Sequence, residues 1–198
     1  MEVKTIQIDN ISDCVTLHLK SFKGFFLTFL GFKFLRMLYE SILTDASGIG
    51  FLAENANQKI IGFVIGSTQP GGLYGRLLRR SWFKFGLAAL PAFLRSPAIL
   101  PRLLRAFSMP SQPLPAPNCA TLMSIAVDPA CQGSGVGGLL VSAFLEEARQ
   151  RGLTWVNLTT DAENNAAVNR FYQANGFTLH RTYTTPEGRG MNEYLIQL

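Results

Sequence analysis

From Asn55 to Val127 the chain carries no aspartate or glutamate, while Lys59, Arg76, Arg79, Arg80, Lys84, Arg95, Arg102 and Arg105 all lie there. The formal charge of +5 over 198 residues is therefore uneven: this stretch is basic and the rest is mildly acidic. Charge is scarce overall, with 16% Asp, Glu, Lys and Arg against 47% hydrophobic residues, which excludes disorder as the main state. Three scattered cysteines, Cys14, Cys119 and Cys131, are too few for a disulfide framework. With only His18 and His180 beside them, no zinc site is expected. Long apolar runs are also missing. The two longest, Gly24 to Phe32 and Gly86 to Leu94, are too short to span a bilayer. Met1 to Asp13 has acidic residues and no apolar core of the kind found in a signal peptide. A cytoplasmic protein is the expectation, with contact at the inner membrane face as an option.

The length suits one domain covering 1–198. Val3 to Ile8 reads as a strand, and Val15 to Phe22 as a first helix. Thr28 to Leu43 reads as a clearer helix. Ile49 to Glu54 and Lys59 to Ser67 form a hairpin around Asn55-Ala-Asn-Gln58. The segment 68–118 reads as a basic, apolar insertion between the third and fourth strands. It holds two or three short helices punctuated by Pro91, Pro97 and Pro101. Cys119 to Val127 is a strand. Val136 to Arg151 is the best helix, with Val136, Leu139, Leu140, Ala143, Phe144 and Ala148 on one face. Thr154 to Thr160 is a strand, and Asn164 or Asn165 caps a helix with Val168, Phe171 and Tyr172 facing the core. Phe177 to Tyr183 and Met191 to Leu198 close the chain as strands. The fold class is α/β, a mixed central sheet flanked by helices.

The informative segment is Met123 to Leu140: a strand, the glycine-rich loop Gln132-Gly-Ser-Gly-Val-Gly-Gly138, then the strong helix. Such a loop lets backbone amides gather around an anion at the positive end of a helix dipole. Phosphate or pyrophosphate is the expected ligand. The nucleotide-hydrolase loop needs Gly-Lys-Ser/Thr, and no lysine stands here. The dinucleotide fingerprint is matched in letters, but it needs a preceding parallel βαβ unit and an acid about 20 residues on.

Gln132-Gly-Ser-Gly135-Val-Gly137 resembles the acetyl-CoA signature of the GCN5-related N-acetyltransferase (GNAT) family, Q/R-x-x-G-x-G/A. Asn165-Ala-Ala-Val168-Asn-Arg-Phe171-Tyr172-Gln-Ala-Asn-Gly176-Phe177 resembles that family's second landmark, with Val168 for the usual Ala and Phe171 for the usual Leu. The resemblance covers Cys119 to Leu198 and extends over Met1 to Ser67, but not over the basic block. It implies an acetyl-CoA-dependent N-acetyltransferase with a GNAT-like sheet splayed beside the loop. Gln132, Gly133, Ser134, Gly135, Val136, Gly137 and Gly138 would hold the CoA pyrophosphate. Ile125, Ala126 and Val127 would pair with the pantetheine arm, and Asn165 would contact it. Tyr172 would point its hydroxyl at the thioester sulfur, where a phenol can donate a proton to the leaving thiolate.

Each of these has a plainer reading. Tyr172 on an apolar face is also a core residue, and Asn165 is also a simple helix cap. In some relatives a glutamate on the strand before the loop is the base; the corresponding position is Thr121, which cannot serve. Glu54 and His18 are the remaining candidates, with water or no base as alternatives, and His180 has no assigned role.

The basic block invites three readings: a lid clamping an anionic acceptor such as a nucleotide- or lipid-linked amino sugar, amphipathic helices over 73–105 lying on an anionic membrane, or a solvated face. Its apolar, proline-broken character reads against nucleic acid. A non-catalytic acyl-CoA-binding or membrane-peripheral module is the alternative to an enzyme, and the apolar closing strands would suit a homodimer.

Overall fold

A computed structural model describes residues 1–22, 26–95 and 115–198. Its centre is a sheet of seven strands among the described residues: β1 (Glu2–Thr5), β2 (Gly48–Glu54), β3 (Ile60–Ser67), β4 (Cys119–Val127), β5 (Trp155–Asp161), β6 (Thr178–Thr184) and β7 (Gly190–Gln197). The order across it is β1-β2-β3-β4-β5-β7-β6, and every neighbouring pair is antiparallel except β4–β5. The mixed α/β class and the hairpin are as expected. The parallel pair follows from what joins it: a helix crossover is the connection parallel neighbours require.

Helices cover both faces. On one lie α1 (Ile11–Ser21), α2 (Phe26–Leu30), α3 (Phe32–Thr44) and α4 (Leu73–Arg95); on the other lie α5 (Val136–Gln150) and α6 (Ala166–Ala174). β3 is buried on both sides. Phe63 and Ile65 face the α1–α4 layer, and Ile61 and Val64 face α5. On α5 the residues Val136, Leu140, Val141, Phe144 and Ala148 are buried at helical spacing; of the expected face Leu139 is 48% exposed and Ala143 half-buried, and Val141 is buried instead. Each large one contributes roughly 1.5–3 kcal/mol by leaving water.

Two expectations are corrected. The single helix over 28–43 is two, because Gly31 at φ +84° interrupts it and then serves as the N-cap of α3. The basic block opens not with short proline-separated helices but with one helix of 23 residues, and Pro91 stands inside it. Proline deprives a helix interior of one hydrogen bond, at about 3 kcal/mol. Here it falls near the C-terminal end, and the buried stripe Leu73, Leu77, Phe85 and Ala89 holds the helix down, with Phe85 edge-on to Phe34 at 5.6 Å. Pro97, Pro101, Arg102 and Arg105 lie outside the described residues. Among the described residues no helix is long and apolar enough to cross a membrane.

The feature that positions the site is the β4–β5 seam. The two strands pair only at Cys119–Trp155, Ala120–Val156 and Thr121–Asn157. β4 then runs on to Val127 along β3, and β5 to Asp161 along β7, without pairing each other. A bulge sits at the parting: β3 skips from Ile65–Ser124 to Gly66–Leu122, leaving Met123 as the extra residue. Bulges bend a strand locally, and this one coincides with the start of the gap.

Candidate acyl-donor and acceptor site

At the end of β4, Asp128 accepts the Ala130 amide at 3.0 Å and closes a one-turn helix over Pro129–Cys131. It also receives Lys20 Nζ at 2.8 Å, tying the loop to α1. Lys20 and the Ala130 amide hold the Asp128 carboxyl below the usual carboxylate range. The chain then runs through extended Gln132 to Gly133 at φ +79° and Gly135 at φ +83°. Side-chain-bearing residues avoid that region, so both glycines are conformational requirements. Ser134 folds back, its Oγ donating to Cys131 O at 2.5 Å. The first intrahelical bond of α5 runs from the Leu139 amide to Gly135 O at 3.1 Å, so the amides of Val136, Gly137 and Gly138 have no acceptor within the helix and point out of its end. Gln132, Gly133, Ser134 and Gly135 are exposed. The result is an open ring of amides at a helix N-terminus, suited to a phosphate group.

Gly137 has a different task. A Cβ there would stand 3.0 Å from the Phe171 ring, so its absence lets α6 approach α5. The two sequence landmarks touch at this point. The next residue, Tyr172, is buried, its ring against Phe171, Phe177 and Tyr194 at 5.3, 5.9 and 6.0 Å between centroids. Burial pushes the phenol pKa up, so it stays protonated at neutral pH. Its hydroxyl has no hydrogen-bond partner among the described residues, yet it is absent from the fully enclosed unpartnered atoms, so it reaches open space. Val168, expected in the core, is 38% exposed; on α6 only Tyr172 is fully buried.

Asn165 is the N-cap residue of α6 by position but makes no capping bond. Its Nδ2 donates to Thr160 Oγ1 at 2.8 Å and to Asp161 O at 3.3 Å, which fixes the amide with Oδ1 turned away from both. Ile125, Ala126 and Val127 lie on the part of β4 that pairs β3 but has no β5 partner, so one edge of this strand has open backbone groups.

Glu54 is not brought to this group. It lies on β2, separated from β4 by β3, and Lys4 Nζ engages its carboxylate at 2.8 Å. His180 is exposed on β6. Arg76, a candidate anion clamp, is already committed: its guanidinium donates to Gly71 O, Gln69 O and Ser47 Oγ and lies 3.5 Å from Asp45.

Two polar chains end on β4 beside the parting; sequence reasoning named His18 and Thr121 in them but missed their partners. Tyr39, on α3, meets His18 Nδ1 at 2.7 Å and donates to Ser124 Oγ at 3.0 Å. From the other side, Arg181 pairs with Glu193 at 2.5 Å, Glu193 accepts from Asn157 Nδ2 at 3.0 Å, and Asn157 Oδ1 accepts from Thr121 Oγ1 at 2.5 Å. The signal for both was a polar residue in an apolar run, such as Glu193 in β7, whose partners lie far away in sequence.

The sequence model of the acetyltransferase (GNAT) family matches residues 16–177. Mycothiol acetyltransferase of Nocardiopsis dassonvillei is 47% identical over 58 residues, 29% of this chain and 17% of that protein. The [ribosomal protein bS18]-alanine N-acetyltransferase of Escherichia coli K12 is 39% identical over 74 residues, 35% of this chain and 49% of that one. The chain thus matches less than half the length of these curated relatives. Among solved structures, a putative GNAT acetyltransferase of Desulfovibrio desulfuricans superposes with a TM-score of 0.64 at 15% identity over 99% of this chain and 98% of its own. The ribosomal-protein-S18-alanine N-acetyltransferase of E. coli gives 0.59 at 16%, over 99% and 92%. Those two likenesses are of fold.

Proposed function

The chain belongs to the GNAT acetyltransferase family, and from that premise we propose that it transfers an acetyl group from acetyl-CoA to a primary amine on a small or carrier-linked acceptor. The observations that carry the reading are three: the outward amides of Val136, Gly137 and Gly138, the β4 edge at Ile125, Ala126 and Val127 that has no β5 partner, and the Tyr172 hydroxyl, which has no hydrogen-bond partner among the described residues. The loop from Gln132 to Gly138 receives the donor's pyrophosphate. The β4 edge hydrogen-bonds its amide-bearing arm as an added strand would, and Asn165 contributes its free Oδ1. The acceptor nitrogen attacks the acetyl carbonyl, the C–S bond breaks, Tyr172 gives its proton to the departing sulfur so that CoA leaves as the thiol, and the proton the nitrogen loses restores the phenol.

Tyr172→Phe tests this directly. The hydroxyl has no partner among the described residues, so stability should hold to within ~0.5 kcal/mol, while kcat falls by about 10²-fold, the lower range for a general acid. Thiol release from acetyl-CoA with a panel of amines is the assay. A chain that binds CoA but acetylates none of them is a binding module instead.

α4 supports a second element, docking on an anionic membrane. Trp82, Leu87, Phe83, Leu90 and Phe93 are exposed on one side of it, Trp82 at 71% and Leu87 at 73%, with Arg79 and Lys84 exposed nearby and no acid within the helix. Such a helix lies in a headgroup layer with its rings at the interface. An acceptor on a lipid carrier would then be presented to the enzyme at that surface. Co-sedimentation with phosphatidylserine vesicles should exceed that with phosphatidylcholine alone, and the double change Trp82→Ala, Leu87→Ala should weaken it at least tenfold. Equal sedimentation with both vesicle types removes the idea.

A further inference from the structure

The donor path and the His18–Tyr39–Ser124 chain lie on opposite faces of the sheet. Val136, Leu140 and Tyr172 belong to the core under α5 and α6, whereas Tyr39 and Leu17 belong to the core under α1 to α4. The seam between β4 and β5 joins the two faces. Ser124 stands at its rim: it is the first β4 residue beyond the bulge, it is partly buried, and its side chain turns toward α3.

The hydrogen-bond arithmetic singles out this hydroxyl. Tyr39 has one proton and donates it to Ser124 Oγ, so the contact at its oxygen is filled by a proton on His18 Nδ1. The chain therefore runs His18 to Tyr39 to Ser124. Ser124 accepts once, which leaves one lone pair and its own proton with no partner among the described residues. His18 and Tyr39 are 3% and 2% exposed, so the hydroxyl is held from behind by groups that water does not reach. His18 Nε2, at the far end, is enclosed and has no partner among the described residues, and burial lowers the imidazole pKa to about 4. The chain is thus uncharged at neutral pH and keeps one proton order. An enclosed, unpartnered ring nitrogen is costly. Leucine or phenylalanine would fill this place without that cost, but neither would orient Tyr39.

We propose that Ser124 is the side chain that receives the acceptor's amine, its free lone pair accepting one amine N–H at the seam while the Tyr39–His18 chain fixes its direction. The proposal rests on the transferase reading and adds the acceptor half of the site. Accepting an N–H leaves the nitrogen lone pair free to face the acetyl carbonyl, which arrives from the opposite face. A neutral hydroxyl also selects the amine in its uncharged form, where a carboxylate would hold the ammonium. Tyr39 and His18 act through Ser124 and are positioning residues.

The test is steady-state kinetics on the full chain with an amine that the wild type acetylates. Ser124→Ala should lower kcat/KM for the amine about tenfold, the worth of one neutral hydrogen bond. KM for acetyl-CoA should stay at the wild-type value, while the melting temperature falls somewhat, because the buried Tyr39 hydroxyl loses its acceptor. Tyr39→Phe should act in the same direction, and the double variant should be no worse than Ser124→Ala alone. His18→Asn, whose amide can donate where Nδ1 does, should retain more activity than His18→Leu, and this keeps the proposal falsifiable if Tyr39→Phe folds poorly. An unimpaired Ser124→Ala, or an equal loss toward acetyl-CoA, overturns the proposal while the wild type's turnover leaves the transferase reading standing. A wild type without turnover on any amine overturns both.

Discussion

Gly135→Ala places a methyl group on a residue held at φ +83° where no atom lies within 4 Å of the new Cβ. The cost is therefore conformational rather than steric, about 1–2 kcal/mol for an L-residue in the left-handed region. That cost has two places to go. If the loop keeps its shape, the strain is present in the folded chain with and without ligand, and unfolding becomes easier by about 1–2 kcal/mol while CoA affinity is unchanged. If the loop relaxes, stability is spared and the amide ring is lost until CoA restores it, so affinity falls roughly 5- to 30-fold, the same energy read as a binding constant. The two losses should together make up the strain. Urea unfolding and CoA titration calorimetry on one preparation measure both. Gly135→Asn is the internal control, since asparagine tolerates this region better, and it should lose less on the combined scale. An alanine variant with wild-type stability and wild-type CoA affinity would refute the view that a positive φ at this position builds the anion site.

Two further outcomes follow from burial. His18 is held to about pH 4 against 6.5 for an unperturbed imidazole. Between those values the unfolded chain takes up a proton that the folded chain refuses, so stability falls as pH drops through that window and this contribution levels off below it. The shift corresponds to a loss of about 2 kcal/mol between pH 7.5 and 5, and His18→Gln should flatten the profile by that amount in urea unfolding; parallel profiles would contradict it. Gly66→Ala would put a Cβ 2.2 Å from Thr121 O and 2.6 Å from the Phe144 ring. The obstacle includes backbone, so a loss of about 3 kcal/mol or more is expected by thermal or urea unfolding, and a wild-type midpoint would show that the bulge can shift.

Local features of the sequence predicted local structure well. The period of α5, the Asn55–Gln58 turn and the glycine-rich loop all specify their conformation within a few residues, and each stands near where it was expected. Composition misled where tertiary packing decides: Pro91 is carried inside α4 because the helix is held along Leu73, Leu77, Phe85 and Ala89. The His18–Tyr39–Ser124 chain was hardest to read. Ser124, Tyr39 and His18 are separated by 85 and 21 residues, and no local pattern records that three such polar groups meet. Glu54 drew attention as a carboxylate at a strand end, but a lysine on the neighbouring strand accounts for it.

The short β4–β5 ladder has a kinetic consequence. Three residue pairs close the seam at one end and, among the described residues, none close it at the other, so the sheet separates two layers that meet along that slit. On the proposed reading the two substrates enter from opposite sides without competing for space, and both must be present before the acetyl group moves. Initial-rate plots for such an enzyme intersect rather than run parallel, and free CoA competes with acetyl-CoA but not with the amine. If the proposed sites hold, the divider also decouples change: residues of α1 and α3 can alter to suit a new amine while the loop, α5 and α6 keep the same donor.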